Sequence, residues 1–292
     1  MGLTFHDARR LFEARRAGTS FEDTLTVGRL KLFLHPGELK ALRSLYAKQF
    51  PGNGNPPLEG YRFGDYSDKL WVEFLNAKHV ETLDYSDYEG ASFTHDMNLP
   101  VPEHLHNKFD AVVDAGSLEH IFNFPTAVRN LMLMAKPGGN VFVTTVANNL
   151  CGHGFYQFSP ELMYRIFSGE NGFETPRVVL LEAVYPSVEL RPMRGAYHVI
   201  DPLQAGDRIL LQNRKPVMIM VDAKKIRHVM PFERLPQQSD YVVTWNSLAG
   251  GKRSGVRKIF DSLPRWFQQE IRGFRLKWVS SFRNSRHYHR LA

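Results

Sequence analysis

A single cysteine, Cys151, excludes an internal disulfide and a structural zinc site built on Cys-x-x-Cys pairs, and it fits a reducing compartment. Long apolar runs are missing as well: nothing approaches the roughly 18 residues of a membrane-crossing helix, and the start MGLTFHDARR lacks the apolar core of a secretory signal. His6 stands where a myristoylation signal needs Ser or Thr after Gly2. The expected location is therefore cytoplasmic. The phosphate cradles GxGxxG and GxxxxGK[ST] are also absent, which disfavours a ligand carrying a diphosphate or triphosphate. Internal repeats and low-complexity tracts are not found.

What is present suits a folded protein, since the 292 residues are 43% hydrophobic and 23% charged. The net charge of +7 is unevenly placed. Residues 224–292 hold 15 of the 37 basic but only 4 of the 30 acidic side chains, a surplus of 11, whereas residues 1–223 are net acidic by 4. Any partner attracted by positive charge would therefore meet the last 69 residues, not the rest of the chain.

The hydrophobic pattern alternates between strand and helix. An amphipathic segment to Arg16 reads as a helical cover. Thr24–Val27 reads as a strand stopped by Gly28, and His35-Pro36-Gly37-Glu38 opens a helix. Residues 51–60 read as a loop and Tyr66–Ala77 as a helix. His79–Leu83, Ala91–Thr94 and Phe109–Val113 are apolar runs that close on Asp84, Asp96 and Asp114. A helix over Phe124–Ala135 breaks at Lys136-Pro137-Gly138-Gly139 before the strand Asn140–Val146. Ser159-Pro160 caps the helix Leu162–Ser168, and Val178–Leu181 and Val217–Val221 are further strands. This grammar predicts an α/β sheet, mainly parallel and covered on both faces.

In such a sheet, ligands bind at the strand carboxyl ends near the reversal of strand order. Gly28, Asp84, Asp96 and Asp114 fall at those ends. A glycine there lets backbone approach a ligand, one carboxylate accepts hydrogen bonds from both ribose hydroxyls, and another accepts from an adenine amino group. The set describes a nucleoside site without phosphates.

FDAVVDAGSLEHI followed by LMLMAKPGGNVFVTT resembles the fourth- and fifth-strand region of the class I S-adenosylmethionine-dependent methyltransferases. The resemblance implies a doubly wound, mainly parallel seven-stranded Rossmann-like sheet over residues 21–225, to which the residue patterning adds an N-terminal helical cover (1–20) and a basic amphipathic C-terminal extension (226–292). It implies S-adenosylmethionine as cofactor, held by Gly28, Asp84, Tyr85, Asp96, Met97, Asp114, Ala115, Gly116 and Glu119. No metal ligands are assigned. The first glycine motif departs from the family, because only Gly28 is present, followed by Arg29. Asp84 also lies 56 residues beyond Gly28 where about 20 is usual. Gly64, 20 residues before Asp84, is the rival.

The loop Asn148–Phe158 follows the fifth strand, where this fold presents residues to the methyl acceptor. His153, between two glycines, is the candidate general base. His120, Tyr156 and Phe158 are candidates for binding a small-molecule or glycan acceptor through O or N. Asp96 and Asp84 have a plain alternative as turn formers, and Glu119 with His120 as a helix start. In the tail, Phe260, Leu263, Phe267, Ile271, Phe274, Trp278 and Phe282 recur every three or four residues among basic ones. This basic amphipathic helix suits a lid on the main domain, a protein partner or an anionic membrane surface. Two other functions stay open: an inactive methyltransferase-like binding or scaffold module, and an RNA methyltransferase using the basic tail.

Overall fold

The computed structural model describes residues 2–51, 56–183, 192, 195–241 and 264–291. In chain order, other short helical turns aside, its elements are β1 (Gly2–Thr4), α1 (Phe5–Arg16), β2 (Asp23–Val27), β3 (Lys31–Phe33), α2 (Pro36–Gln49), a π-helical turn (Leu70–Phe74), β4 (His79–Asp84) and β5 (Phe93–Thr94). They continue with β6 (Phe109–Ala115), α3 (Phe124–Met134), β7 (Ala135–Asn148), α4 (Pro160–Ile166), β8 (Arg177–Glu182), β9 (Ala196–Val199), β10 (Val217–Lys224), a C-terminal helix (Arg265–Val279) and β11 (Tyr288–Arg290).

Nine strands form the main sheet in the order β11-β9-β8-β10-β7-β6-β2-β4-β5. The half from β5 to β7 is parallel, and the half from β7 to β11 is antiparallel. All seven strands read from the sequence are present, and β9 and β11 extend the sheet at one edge. Strand order reverses between β2 and β6, which pair directly, so the switch point lies beside Gly28.

Two large cores flank this sheet because its central strands are buried on both sides and alternate their side chains, and a small third one gathers Val179, Leu181, Ala196 and Met220. Ala111, Val113 and Phe142 face Phe12, Trp71 and Phe74 under α1 and the π-helical turn. Val112, Val141 and Val143 face Leu131, Met132 and Met163 under α3 and α4. The N-terminal helix is thus part of one core, with Leu11 and Phe12 buried. It also carries a buried polar network: Arg10 donates to the Val143 carbonyl at 3.1 Å, to Thr144 Oγ1 at 2.8 Å and to Asp222 at 2.9 Å.

Several expectations shift. The helix expected over Tyr66–Ala77 shrinks to the π-helical turn, whose Leu70, Trp71 and Phe74 are all buried. Short β1 and β3, which pair with each other, were not expected. In the tail, Phe260 and Leu263 lie outside the described residues. The C-terminal helix runs unbroken through Gly273 and buries none of its residues, so the docked lid is not seen among the described residues. The chain after it returns to the sheet as β11, where Tyr288 is buried. Among the described residues no helix is long and apolar enough to cross a membrane.

Candidate functional site at the strand carboxyl ends

A cavity of about 360 Å³ opens at the carboxyl ends of β2, β4 and β5. Gly28, Asp84, Tyr85, Asp96, Met97 and His120 line it, joined by Val27, Leu83, His95, Asn98, Ser117 and Ile121. Two larger clefts, of about 490 and 540 Å³, lie along α1 and beside α4. Neither touches the switch point, and position relative to the sheet is the better guide to a ligand site in this architecture.

Each wall has a local cause. Gly28 closes β2 with φ +74°, a left-handed conformation open to glycine without a Cβ penalty, and its amide donates to the Leu83 carbonyl at 2.8 Å. Arg29 points elsewhere: its guanidinium lies 4.1 Å over the Tyr66 ring and pairs with Asp68 at 3.1 Å. Gly64 is not in the cavity wall; its amide donates to Leu32. The 56 residues between Gly28 and Asp84 are filled by β3, α2 and the π-helical turn.

Asp84 ends β4 at the cavity rim, with one oxygen accepting the Tyr85 amide at 2.7 Å. Asp96 accepts the backbone and side-chain amides of Asn98 at 2.9 and 2.8 Å, which holds its carboxyl below the usual range. Its plain role as a turn former is therefore met while it also lines the cavity. Buried Asn130 of α3 staples the Met97 loop, donating to the Leu99 carbonyl at 2.8 Å and accepting from the Val101 amide at 3.0 Å. A lone asparagine on an apolar helix face gave the only sequence signal for it.

Asp114, Ala115, Gly116 and Glu119 are not among the residues lining the cavity. Asp114 is buried and turned onto its own loop, accepting the Ser117 amide at 3.0 Å and the Leu118 amide at 3.3 Å. Burial pushes its carboxyl up to about 7, and the nearby Glu119 charge adds to the rise. It thus shapes the turn that brings Ser117 to the cavity, a support role in place of the direct contact expected.

Glu119 is also buried. Thr145 of β7 donates to its Oε2 at 2.7 Å, while Oε1 has no hydrogen-bond partner. The Glu119 carbonyl accepts the Phe155 amide at 2.7 Å, which docks the His153 loop on this segment. Gly154, at φ +83°, makes that approach possible, since a Cβ there would lie 2.5 Å from the Glu119 carbonyl oxygen. His153 Nε2 consequently stands 3.7 Å from Glu119 Oε1, and the His120 and His153 rings are 5.2 Å apart. Tyr156 donates to the Phe122 carbonyl at 2.7 Å. Phe158, expected in an acceptor wall, is a core residue 5.5 Å from the Phe124 ring. The exposed aromatics beside the histidines are Phe122 and Phe155, which meet edge to face at 6.0 Å.

No protein-family model matches the chain, and no curated protein is similar to it in sequence. Among solved structures, the chain is similar to a methyltransferase, CalH, in complex with SAH: 12% identity, TM-score 0.38, over 75% of this chain and 55% of CalH. A second is an S-adenosylmethionine-dependent protein from Thermotoga maritima described as a possible histamine N-methyltransferase: 13% identity, TM-score 0.39, over 75% and 89% of the two chains. A third is 1,6-didemethyltoxoflavin-N1-methyltransferase from Burkholderia thailandensis: 13% identity, TM-score 0.37, over 76% and 78%. The chain thus spans little more than half the length of CalH. At TM-scores below 0.5 none of these similarities assigns an activity or a substrate. The chain's own strand order, switch point and cavity give it the Rossmann-like α/β fold that the resemblance to class I methyltransferases implies.

Proposed function

We propose that this chain is an S-adenosylmethionine-dependent methyltransferase acting on an oxygen or nitrogen of a small-molecule or carbohydrate-like acceptor. The observation that carries the reading is the meeting of Gly28, Asp84, Asp96 and Met97, from three separate strand ends, around one cavity. The residues suit the cofactor's nucleoside. About 360 Å³ lies within the usual span of small-molecule sites, roughly 300–1,000 Å³. Val27, Leu83, Met97 and Ile121 offer apolar contact to a base, and Asp84 offers carboxylate oxygen to ribose hydroxyls. No phosphate cradle is needed.

When bound, the cofactor supplies an electrophilic methyl group. The chain's part is to orient and to manage one proton. His120 belongs both to the cavity wall and to the histidine pair, so the acceptor side adjoins the cofactor side. His153 is exposed where an acceptor hydroxyl or amine arrives, and its imidazole can take the proton. Holding acceptor and methyl group in line supplies much of the remaining rate effect. The sequence feature behind an inactive scaffold was the glycine-poor first motif, and Arg29 does not obstruct the cavity.

Calorimetry with S-adenosylhomocysteine tests the reading. Wild type is expected to bind, and Asp84→Asn to bind about 10- to 100-fold more weakly, the worth of hydrogen bonds to a charged group. Absence of binding by wild type, or equal affinity in the variant, overturns it.

A further inference from the structure

Beside the cavity, Glu119, His120 and His153 each offer one ligand-type atom, and these atoms all lie within 4.8 Å of one another. The carboxylate is the unusual member. Glu119 is fully buried, Thr145 satisfies Oε2, and Oε1 is left without a hydrogen bond while facing His153 Nε2 at 3.7 Å. A buried carboxylate oxygen without a partner is costly, and 3.7 Å is too long for the imidazole to satisfy it directly. The spacing suits a shared ion. Two ligands each about 2.1 Å from one metal stand about 3.0–3.6 Å apart at ordinary coordination angles. His120 and His153 are exposed, so their rings can turn the remaining distance.

We infer that Glu119, His120 and His153 form a binding site for a divalent first-row transition ion. Two imidazoles and one carboxylate are a donor set for such ions, and the exposed side leaves coordination positions open for an outside oxygen. The sequence carries no metal-ligand spacing here because the ligands come from a short 3-10 turn, Leu118–His120, and a loop more than 30 residues away. Their convergence depends on the Glu119 carbonyl accepting the Phe155 amide.

The role of the ion rests on the methyltransfer reading. An acceptor hydroxyl bound to the ion loses its proton to solvent more readily, as metal-bound water does. The oxygen keeps the electron pair and forms the new C–O bond as the methyl–sulfur bond breaks and the sulfide departs. The ion would then take over the proton-removing role of the free His153 imidazole, whose Nε2 lone pair is used in ligation.

The test uses the full chain, stripped with a chelator, titrated calorimetrically with Zn²⁺ and separately with Mn²⁺. One ion per chain is expected for at least one of them, with affinity falling about 10- to 100-fold or more in His120→Ala and in His153→Ala. His104→Ala, a change at an exposed histidine outside the cluster, is expected to leave binding unchanged. Both cluster histidines are exposed, so these variants retain the core. No saturable binding of either ion, or wild-type affinity retained in either cluster variant, overturns the site. Titration of the same samples with S-adenosylhomocysteine separates the two ideas. Ion binding with the expected variant pattern but no cofactor-product binding upholds the site and removes the methyltransfer reading; the reverse result removes the site alone.

Discussion

Glu119 Oε1 and His153 Nε2 face each other at 3.7 Å, the carboxylate wholly buried and the imidazole 54% exposed. The pair joins the interior of the sheet to its surface. Thr145 of β7 fixes the carboxylate from below, and the Gly154 turn presses the histidine loop onto it from above.

Gly154→Ala tests that arrangement. The added Cβ would meet the Glu119 carbonyl at 2.5 Å and force an L side chain into a left-handed backbone, a strain of about 1–2 kcal/mol. The loop is expected to lift, so acceptor turnover falls by about tenfold or more, in line with the cost of misplacing a reacting group. Affinity for S-adenosylhomocysteine, set on the far side of His120, is expected to hold. Steady-state kinetics beside calorimetry reads the split, and a joint loss of both would count against it.

Asp114 makes stability depend on pH. Burial pushes its folded carboxyl up to about 7, well above the usual carboxylate range of about 4. Between these values the native chain holds a proton that the unfolded chain has lost, so this contribution is full at low pH and fades as pH rises through 7. In Asp114→Asn the group is removed. Wild type is therefore expected to lose stability relative to the variant between about pH 4 and 8, read from urea midpoints across that range. A constant difference between the two would show that the carboxyl does not titrate there.

Arg10 binds the N-terminal helix to the sheet through Thr144 and Asp222 and pairs with Asp7 within its own helix, with only 2% of its side chain exposed. Arg10→Ala strands buried acidic groups and is expected to cost about 3–5 kcal/mol in urea unfolding. A loss below about 1 kcal/mol, the size of an exposed ion pair, would mean that water reaches the network.

The residues that announced a nucleoside site did so by local chemistry. Gly28, Asp84 and Asp96 sit where apolar runs stop, and strand ends in a doubly wound sheet converge by construction, so their meeting at one cavity needed no long-range detail. The break after α3 and the cap before α4 were legible for the same reason: Pro-Gly-Gly and Ser-Pro act over a few residues. The short strands β9 and β11 at the sheet's edge left no such mark. β9 and β11 gain their place only through pairing with each other and with β8, across nearly 90 residues of sequence. Tyr288, buried beneath Phe282 and donating to the Leu210 carbonyl, ties the basic tail to the sheet in a way its charge pattern conceals.

Alone, the sequence determined the alternation of strand and helix, the absence of a phosphate cradle and the acids at the strand ends, because periodicity and turn chemistry are properties of neighbours along the chain. Tertiary structure decided which of those acids face the cavity. Asp84 does, whereas Asp114 folds back to accept two amides of its own turn, and Glu119 is carried beneath His153. Side-chain direction at a strand end follows from which amides and walls lie near in space, and that information exists only once distant segments have packed.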